Sequence, residues 1–494
     1  MGIFLRAIVV LLLLTTQAGA AVPHAPRSVE LLSDGWRFTK GDPQGAEQTG
    51  FDDRAWRAVT VSHDYSIKGP VAIDNPSGAT GGFFPGGIGW YRNTLQITKI
   101  DGTKRRFIVF DGVMANSDVW VNGHHLGRRP NGYVSFVYEF TAHLCFGANV
   151  IAVRCDNAKE PSLRWYLGGG IHRQVRLVTT GATHIAPWGT FVTTPVVADQ
   201  QASIHVRSTV SSPVGGKVAL AVTLTGPDGK VVASVTRALM AGQSLDLEVD
   251  ASVIRPQRWA LEKPSMYTAR VTLLHDGEAV GSEEVSFGIR TFRFDACEGF
   301  FLSWRAMKIY GVGVHSDGGA LGAAVPLAVW QRRLLALRKL GVNDIRTAHN
   351  AAAPEFLDLC DRMGFLVLDE FFDMWTLPKV PYDYSVFFKE WAERDTADLV
   401  RRDRNHPSII FYSVGNEIRD TTVPAVAAEW LKRLLRVHHD NDPTRPVPRK
   451  NVRECYTDPR QACLHRGNAQ SHRHRRAADG WQAGTRQAQP RERQ

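Results

Sequence analysis

Residues 413–420 read "SVGNEIRD" and close the apolar run "SIIFYSVGNE". A carboxylic acid delivered by the end of a buried strand is placed to donate a proton in catalysis. Hydrolysis of a glycosidic bond asks for two carboxyl groups. One protonates the departing oxygen, and in retaining enzymes the other attacks the sugar from about 5 Å away. Glu417 is the candidate acid, and Asn416 beside it is placed to hydrogen-bond a sugar 2-hydroxyl. The competing reading is a glutamate that caps the following turn. A partner carboxylate is hard to find. Beyond Glu429 the chain holds only Glu454 and Glu492, both in a polar, Arg-rich stretch with no apolar strand ahead of them. Asp111 and Asp118 fall in strands or turns of a β region and read as structural. Glu355 and Asp358 read as the solvated face of a helix.

The segments that carry these residues alternate strand and helix. "MKIYGVGVH" is an apolar strand. "PLAVWQRRLLALRKLG" is a helix with Trp330, Leu334 and Leu337 on one face and Gly341 as its stop. The strand "NDIRTAHN", the helix "PEFLDLCDRMG" and the strand "FLVLDE" follow. A helix near 385–403 carries Phe388, Trp391 and Leu399 on one face. After "SIIFYSVGNE" the helix "AVAAEWLKRLLRVH" turns Trp430, Leu431, Leu434 and Leu435 inward. This repetition predicts a parallel sheet wrapped by helices. The polar strand ends (His315, His349, Asp369-Glu370, Asn416-Glu417) fit the catalytic mouth of a (β/α)8 TIM barrel. Residues 291–447 encode only the first half of such a barrel.

Ahead of it lie two β regions. Residues 22–180 contain short strands such as "RRFIVFDGV" and "NVIAVRCD", with Asn122-Gly123 as a hairpin turn, and predict a jelly-roll-like β-sandwich. Residues 181–290 alternate apolar and polar positions between turns at Pro227-Asp228-Gly229 and Asp276-Gly277. Their length and spacing suit an immunoglobulin-like β-sandwich without the Cys…Trp…Cys core of antibody domains.

The ends differ from the body. Arg6, the apolar run Ala7–Leu14 and Ala18-Gly19-Ala20 form a signal peptide over 1–20, so a secreted or periplasmic protein is expected. That run is too short to span a membrane, and no other segment is apolar enough. Six cysteines are scattered without metal-ligand spacing. Cys145 and Cys155 either pair across neighbouring strands or remain free thiols. The net charge is +10, but the last 46 residues hold eleven Lys or Arg and four Asp or Glu, a balance of +7. The body is therefore near neutral, which argues against a nucleic-acid groove. The stretch 448–494 has one Leu, one Val and no Ile, Phe or Met, and is expected to be disordered. Its Arg, Ala, Gln, Gly and His bias is what an out-of-frame reading of a GC-rich gene gives, with the break near Val447–Lys450.

Six motifs in order resemble glycoside hydrolase family 2. "GGIGWYRNTL" (86–95), "FDGVMANSDVWVNGHHLG" (110–127) and "LRWYLGGGIHRQVRL" (163–177) resemble its sugar-binding domain. "HSDGGALGAAVP" (315–326), "NDIRTAHNAAAPEFLDLCDRMGFLVLDE" (343–370) and "RNHPSIIFYSVGNE" (404–417) resemble its barrel. The resemblance covers roughly 28–447, and its nearest subgroup is the secreted bacterial β-galactosidases. It implies that Glu417 is the general acid/base, that Asn416 meets the 2-hydroxyl, and that His349 and His315 line the sugar subsite. For either histidine the alternative is a satisfied strand-end side chain. It also implies that Asp369 touches sugar or holds the mouth together, and that Arg164 and Trp165 lie on a loop reaching the barrel. Relatives carry an acid near Arg164. For Trp165, packing between domains competes with sugar stacking. The family nucleophile, a Glu on the seventh strand, has no match here. Some relatives use Mg²⁺, and no ligand cluster in the sequence singles itself out for it. The expected substrate is a β-galactoside or related oligosaccharide, with little turnover by this chain alone. The alternative is a non-catalytic carbohydrate-binding protein.

Overall fold

The computed structural model describes residues 27–447 apart from 214, 241–243 and 296. The readings of 1–20 as a signal peptide and of 448–494 as a disordered tail lie outside these residues.

The first sandwich packs two antiparallel sheets. Its six-stranded sheet runs in the order Arg57–Val59, Trp36–Lys40, Ile88–Ile97, Gly147–Asp156, Ser117–Val121, His124–Arg129. The four-stranded sheet holds Ser28–Leu31, Val175–Gly181, Lys104–Phe110 and Phe136–Glu139. Trp36, Tyr91, Ile108, Phe110 and Val153 fill the space between them. Asn122-Gly123 makes the predicted hairpin turn, both residues with positive φ. Cys145 is exposed, Cys155 is buried, and both are free thiols, so the disulfide alternative does not occur.

In the second sandwich, Lys217–Thr225 and Gln201–Ser211 bury every second residue. That period of two is the alternation read in the sequence. A three-stranded sheet faces a four-stranded one across Ile204, Val206, Leu220, Val222 and Val271.

The last segment forms four parallel strands in sequential order: Gly311–Val314, Asp344–Thr347, Leu366–Glu370 and Ile409–Ser413. Helices α1 (Leu327–Lys339), α2 (Pro354–Met363), α3 (Ser385–Asp403) and α4 (Pro424–Asn441) cover one face. The stretch "MKIYGVGVH" is not one strand. Arg305–Met307 belongs to a small antiparallel sheet with Phe292–Asp295 and Gly299–Leu302, and the parallel strand starts only at Gly311. Asn343 separates them. Its side chain accepts from Tyr310 N–H at 2.8 Å and donates to the Lys308 carbonyl at 2.8 Å. Leu337 is only half-buried, whereas Trp330 and Leu334 are core residues, because α1 packs one narrow stripe. Among the described residues the sheet ends at Gly311–Val314 on one side and Ile409–Ser413 on the other. Tyr310 beside the first edge is 61% exposed.

Gly364 terminates α2 in the left-handed region, at φ 66°. A Cβ there would lie 2.1 Å from the Leu261 carbonyl oxygen. Gly364→Ala is therefore expected to cost at least about 2 kcal/mol in urea unfolding, since strained backbone and backbone overlap act together.

Both sandwiches dock on the barrel segment through buried arginines. Arg129 reaches from the first sandwich to Asp395 at 2.7 Å and to Asp398 on α3. Arg173 donates to the carbonyls of Ala351 and Ala352. Arg404 and Asn405 of "RNHP" bond the Trp188, Thr190 and Val192 backbone of the second sandwich. That motif therefore serves docking as well as leading into the fourth strand.

Candidate active site

Strand alternation decides what reaches the mouth. Adjacent residues of a strand point to opposite faces, so of Asp369 and Glu370 only one can face inward. The inward one is Glu370. Asp369 is fully buried, accepts from Thr347 Oγ1 at 3.2 Å, and faces Asp403 and Arg402 under α3. Burial and the neighbouring Asp403 push its carboxyl well up. The expectation that Asp369 touches sugar is thus corrected, because no ligand can reach it. Its role is to tie the strand to α3.

Glu370 is fully buried and collects three partners. Arg346 Nη2 donates to both its oxygens at 2.9 Å, His349 Nδ1 lies 2.9 Å from Oε1, and Ser413 Oγ donates to Oε2 at 2.9 Å. The same Arg346 Nη2 donates to Asn416 Oδ1 at 2.7 Å. Ends of the second, third and fourth strands are therefore wired together at one level. His349 is held through Nδ1, which leaves Nε2 without a hydrogen bond among the described residues.

A second carboxylate, Asp373, sits just past the third strand. It accepts from Asn416 Nδ2 at 2.8 Å, from Lys379 Nζ at 2.8 Å, and from Arg164 Nη2 and Nε at 2.8 and 3.1 Å. Burial would raise its pKa, but the bonds from Arg164, Lys379 and Asn416 outweigh it and hold the carboxyl below its ordinary value. Lys379 also donates to the Asn416 carbonyl at 2.8 Å, which fixes the backbone next to Glu417. Arg164 crosses from the first sandwich and lies 3.4 Å from Glu417 Oε2. It reaches the barrel as expected, but its guanidinium is committed to an ion pair rather than left free for sugar.

Glu417 itself is open, with its side chain 72% exposed. Its backbone has φ 44°, a left-handed conformation that costs a non-glycine residue and that recurs at functional sites. It does not begin a helix, since the 3-10 turn starts at Arg419 and Ile418 occupies its N-cap position. The turn-capping alternative therefore fails. His315 and His349 meet edge-on at 5.4 Å, and Trp165 packs against both, at 5.2 and 5.5 Å. Its Nε1 donates to Tyr133 Oη at 3.2 Å within the first sandwich while its ring meets the two barrel histidines, so Trp165 joins the domains and forms a wall of the site at once. Burial, then His349, lower the pKa of His315, whose buried Nδ1 lacks a partner among the described residues.

The site thus unites Glu417, Asn416, His349, His315, Arg164 and Trp165. Arg346, Asp373, Lys379 and Ser413 were missed, and Glu370, placed at the mouth with Asp369, was given no role of its own. One signal was available: an arginine inside the strand "NDIRTAHN" needs a carboxylate, and Glu370 was at hand. Lys379 and Asp373 lie on loops and carried no signal. Glu355 is half-buried beneath Arg173 rather than solvated, and burial raises its pKa.

Among the described residues, neither Glu370 at the mouth nor the one cluster of candidate ligands fits Mg²⁺. Both oxygens of Glu370 already bind donors. Among the described residues Asp358, Asp361 and His406 bring ligand atoms within 4.8 Å, yet His406 Nδ1 bonds Asp361 at 2.5 Å and Asp361 also takes Ser408 N–H. The Asp361 carboxylate outweighs burial and lifts His406 to about 9, so the imidazole carries a proton where a metal would need a lone pair.

Comparison with known proteins agrees with this geometry. Three family descriptions match in succession: "Glycosyl hydrolase 2 galactose-binding domain-like" over residues 89–165, "Glycosyl hydrolases family 2" over 183–290, and "Glycosyl hydrolases family 2, TIM barrel domain" over 296–465. This chain belongs to glycoside hydrolase family 2. The family 2 chain is 42% identical over 427 residues to beta-galactosidase BoGH2A of Bacteroides ovatus, covering 85% of this chain and 50% of that one. It is 38% identical to a putative beta-glucuronidase of Formosa agariphila, covering 82% of this chain and 39% of that one. A solved family 2 structure from Bacteroides cellulosilyticus aligns with a TM-score of 0.83 at 35% identity, over 85% of this chain and 55% of the other. The chain therefore spans half or less of the curated relatives named here. The barrel match ends inside the polar stretch after Pro448.

Proposed function

We propose that this chain is the front portion of a secreted, retaining β-glycosidase of the β-galactosidase type, with Glu417 as general acid/base. The observation that carries this reading is that Asn416 and Glu417 at the fourth strand end and His349 at the second are tied together across the third, Asn416 and His349 through Arg346 and Glu370, and Glu417 through Arg164 and Asp373. Glu417 is solvent-reachable and lies beside a fixed cation, so it can exchange a proton with a leaving oxygen and with water. Asn416 retains one amide hydrogen for a sugar hydroxyl, and His349 Nε2 and His315 line the same concavity. The relative named a beta-galactosidase supports galactosides as substrate, and the secretory reading rests on residues 1–20.

The covalent step needs a second carboxylate facing Glu417. Glu370 and Asp373 are buried and bound by cations, so neither offers a free lone pair for attack. These 494 residues by themselves are therefore proposed to turn over little substrate. Two measurements test the reading. Purified chain on an aryl β-galactoside should give background rates, and turnover abolished by Glu417→Gln would overturn the inactivity. Translating the downstream DNA in the other two frames should reveal an apolar strand ending in Glu within about a hundred codons, the seventh-strand nucleophile expected of a barrel enzyme. A chain extended through that strand should hydrolyse the aryl galactoside and lose about 10²–10⁴ in rate on Glu417→Gln, the usual worth of a general acid. A verified stop with sugar binding intact would favour a non-catalytic carbohydrate-binding protein.

A further inference from the structure

A cavity of about 320 Å³ lies where the second sandwich meets the amino-terminal ends of the barrel strands. Pro407, just ahead of the fourth strand, lines it, so it sits at the opposite end of that strand from Asn416 and Glu417. It shares no residue with the site above. Its size is that of a small-molecule pocket.

The lining is cationic, with no acid to balance it. Arg290, Arg404 and Arg445 all contribute, and no Asp or Glu does. Arg445 has a carboxylate behind it, since its Nη1 donates to Asp442 Oδ2 at 2.6 Å. That carboxylate is fully engaged. It also accepts from Tyr412 Oη at 3.1 Å and from the Thr444 N–H and hydroxyl at 2.9 and 2.6 Å. The other two arginines donate only to backbone carbonyls among the described residues. Arg290 donates Nε to Pro407 and Nη2 to Ile409, and Arg404 donates to Trp188, Gly189 and Asn441. Carbonyl dipoles orient a guanidinium but do not cancel its charge. Burial, and then Arg445 and Arg207 respectively, lower the pKa of Arg290 to about 9 and of Arg404 to about 10. A charge taken out of water is costly unless it is paired, so these two call for an anion in the cavity they line.

Two donors of the lining remain to bind one. Arg290 Nη1 and Thr291 Oγ1 make no hydrogen bond among the described residues, and neither is sealed from solvent. The Arg290 guanidinium is set by its two carbonyls and by the Phe292 ring, whose centre lies 4.7 Å from Cζ, so Nη1 is already oriented. A neutral ligand would leave both charges as they are. A carboxylate brings one charge, whereas a tetrahedral oxyanion brings close to two and accepts from several donors at once.

We propose that this cavity is an anion site, which holds one tetrahedral oxyanion, phosphate or sulfate, on Arg290 Nη1 and Thr291 Oγ1 in the field of Arg404 and Arg445. The site stands independently of the hydrolase reading, since no acid/base chemistry is asked of it.

Calorimetric titration of the full chain with inorganic phosphate and with sulfate, in chloride at constant ionic strength, tests this. One-to-one binding is expected. Succinate, whose two charges lie too far apart to meet the same pair of donors, should bind about tenfold more weakly. Arg290→Gln should weaken phosphate by about tenfold or more, the worth of one charge-assisted hydrogen bond. Thr291→Glu places a carboxylate in the lining beside Arg290. It should abolish phosphate binding and, in phosphate-free buffer, raise the thermal unfolding midpoint by about 2 °C or more, because it supplies the missing charge. Arginines that served docking alone would give no such rescue. If Arg290→Gln fails to fold, Thr291→Glu decides. Absence of saturable binding would overturn the site, and equal affinity for succinate would overturn the oxyanion. So would phosphate binding that neither substitution changes, because the ion would then sit elsewhere on the basic surface.

Discussion

Asp373→Ala should destabilise the barrel segment by about 3–5 kcal/mol at pH 7, the range for breaking one partner out of a buried ion pair. The substitution strands Lys379, whose side chain is 4% exposed, and leaves Arg164 and Asn416 Nδ2 without their acceptor. Burial then acts on Lys379 with only Glu417 left to oppose it, and lowers its pKa further. Arg164 is freed to close on Glu417, so the site changes shape as well as stability. The sign with pH follows from the direction of the Asp373 shift. A carboxyl held below its unfolded value contributes above that value, near pH 3.9, and loses the contribution as pH falls through the folded pKa. The gap between wild type and variant should therefore be full at pH 7 and shrink below about pH 4. Urea unfolding at both pH values checks it. A variant as stable as wild type at pH 7 would mean that Asp373 does not hold the mouth together.

His438→Phe carries the other large effect, in the opposite direction. His438 is 1% exposed, stacked on Phe371 at 5.1 Å and tilted against Tyr412 at 5.1 Å. Neither ring nitrogen has a hydrogen-bond partner among the described residues. Burial outweighs the attraction of Asp442 and lowers its pKa to about 3. The folded imidazole stays neutral while the unfolded one protonates below about pH 6.5. That depressed pKa contributes stability above pH 6.5 and loses it as pH falls toward 3, in total about 5 kcal/mol. Phenylalanine keeps the stacking and removes both the unpaired nitrogen and the proton uptake. The variant should be more stable by about 1–3 kcal/mol at pH 7.5, the cost of one unsatisfied buried group. At pH 4.5 its advantage should grow by about 3 kcal/mol. Equal advantages at the two pH values would show that His438 does not titrate as a buried neutral ring.

Much of the architecture was legible because it rests on local periodicity. Alternation in "KVALAVTLT" marks a half-buried strand whatever it pairs with. Trp430, Leu431 and Leu434 mark one face of α4 in the same way, and all three are buried. Asn416 and Glu417 could be placed at a strand end because the apolar run "SIIFYSV" stops just before them, and His349 because the short strand "NDIRTA" precedes it in the alternation of strand and helix. Asp369 and Glu370 could not be told apart. "LVLDE" is buried on both faces, so its apolar residues do not label the inward side. Pairing with Arg346 and Ser413 labels it, and those partners lie in other strands.

The sequence by itself determined three successive folding units, the order of four strands and helices, and an acid at the end of the fourth strand. These follow from residue types a few positions apart, over which the chain's own geometry sets which side chains share a face. Only the tertiary structure decided that Arg164 reaches Asp373 from 209 residues away, that Lys379 pins the backbone beside Glu417, and that Asp369 turns its back on the mouth. Such contacts depend on strand register and on how domains dock, and no spacing along the chain encodes either one locally.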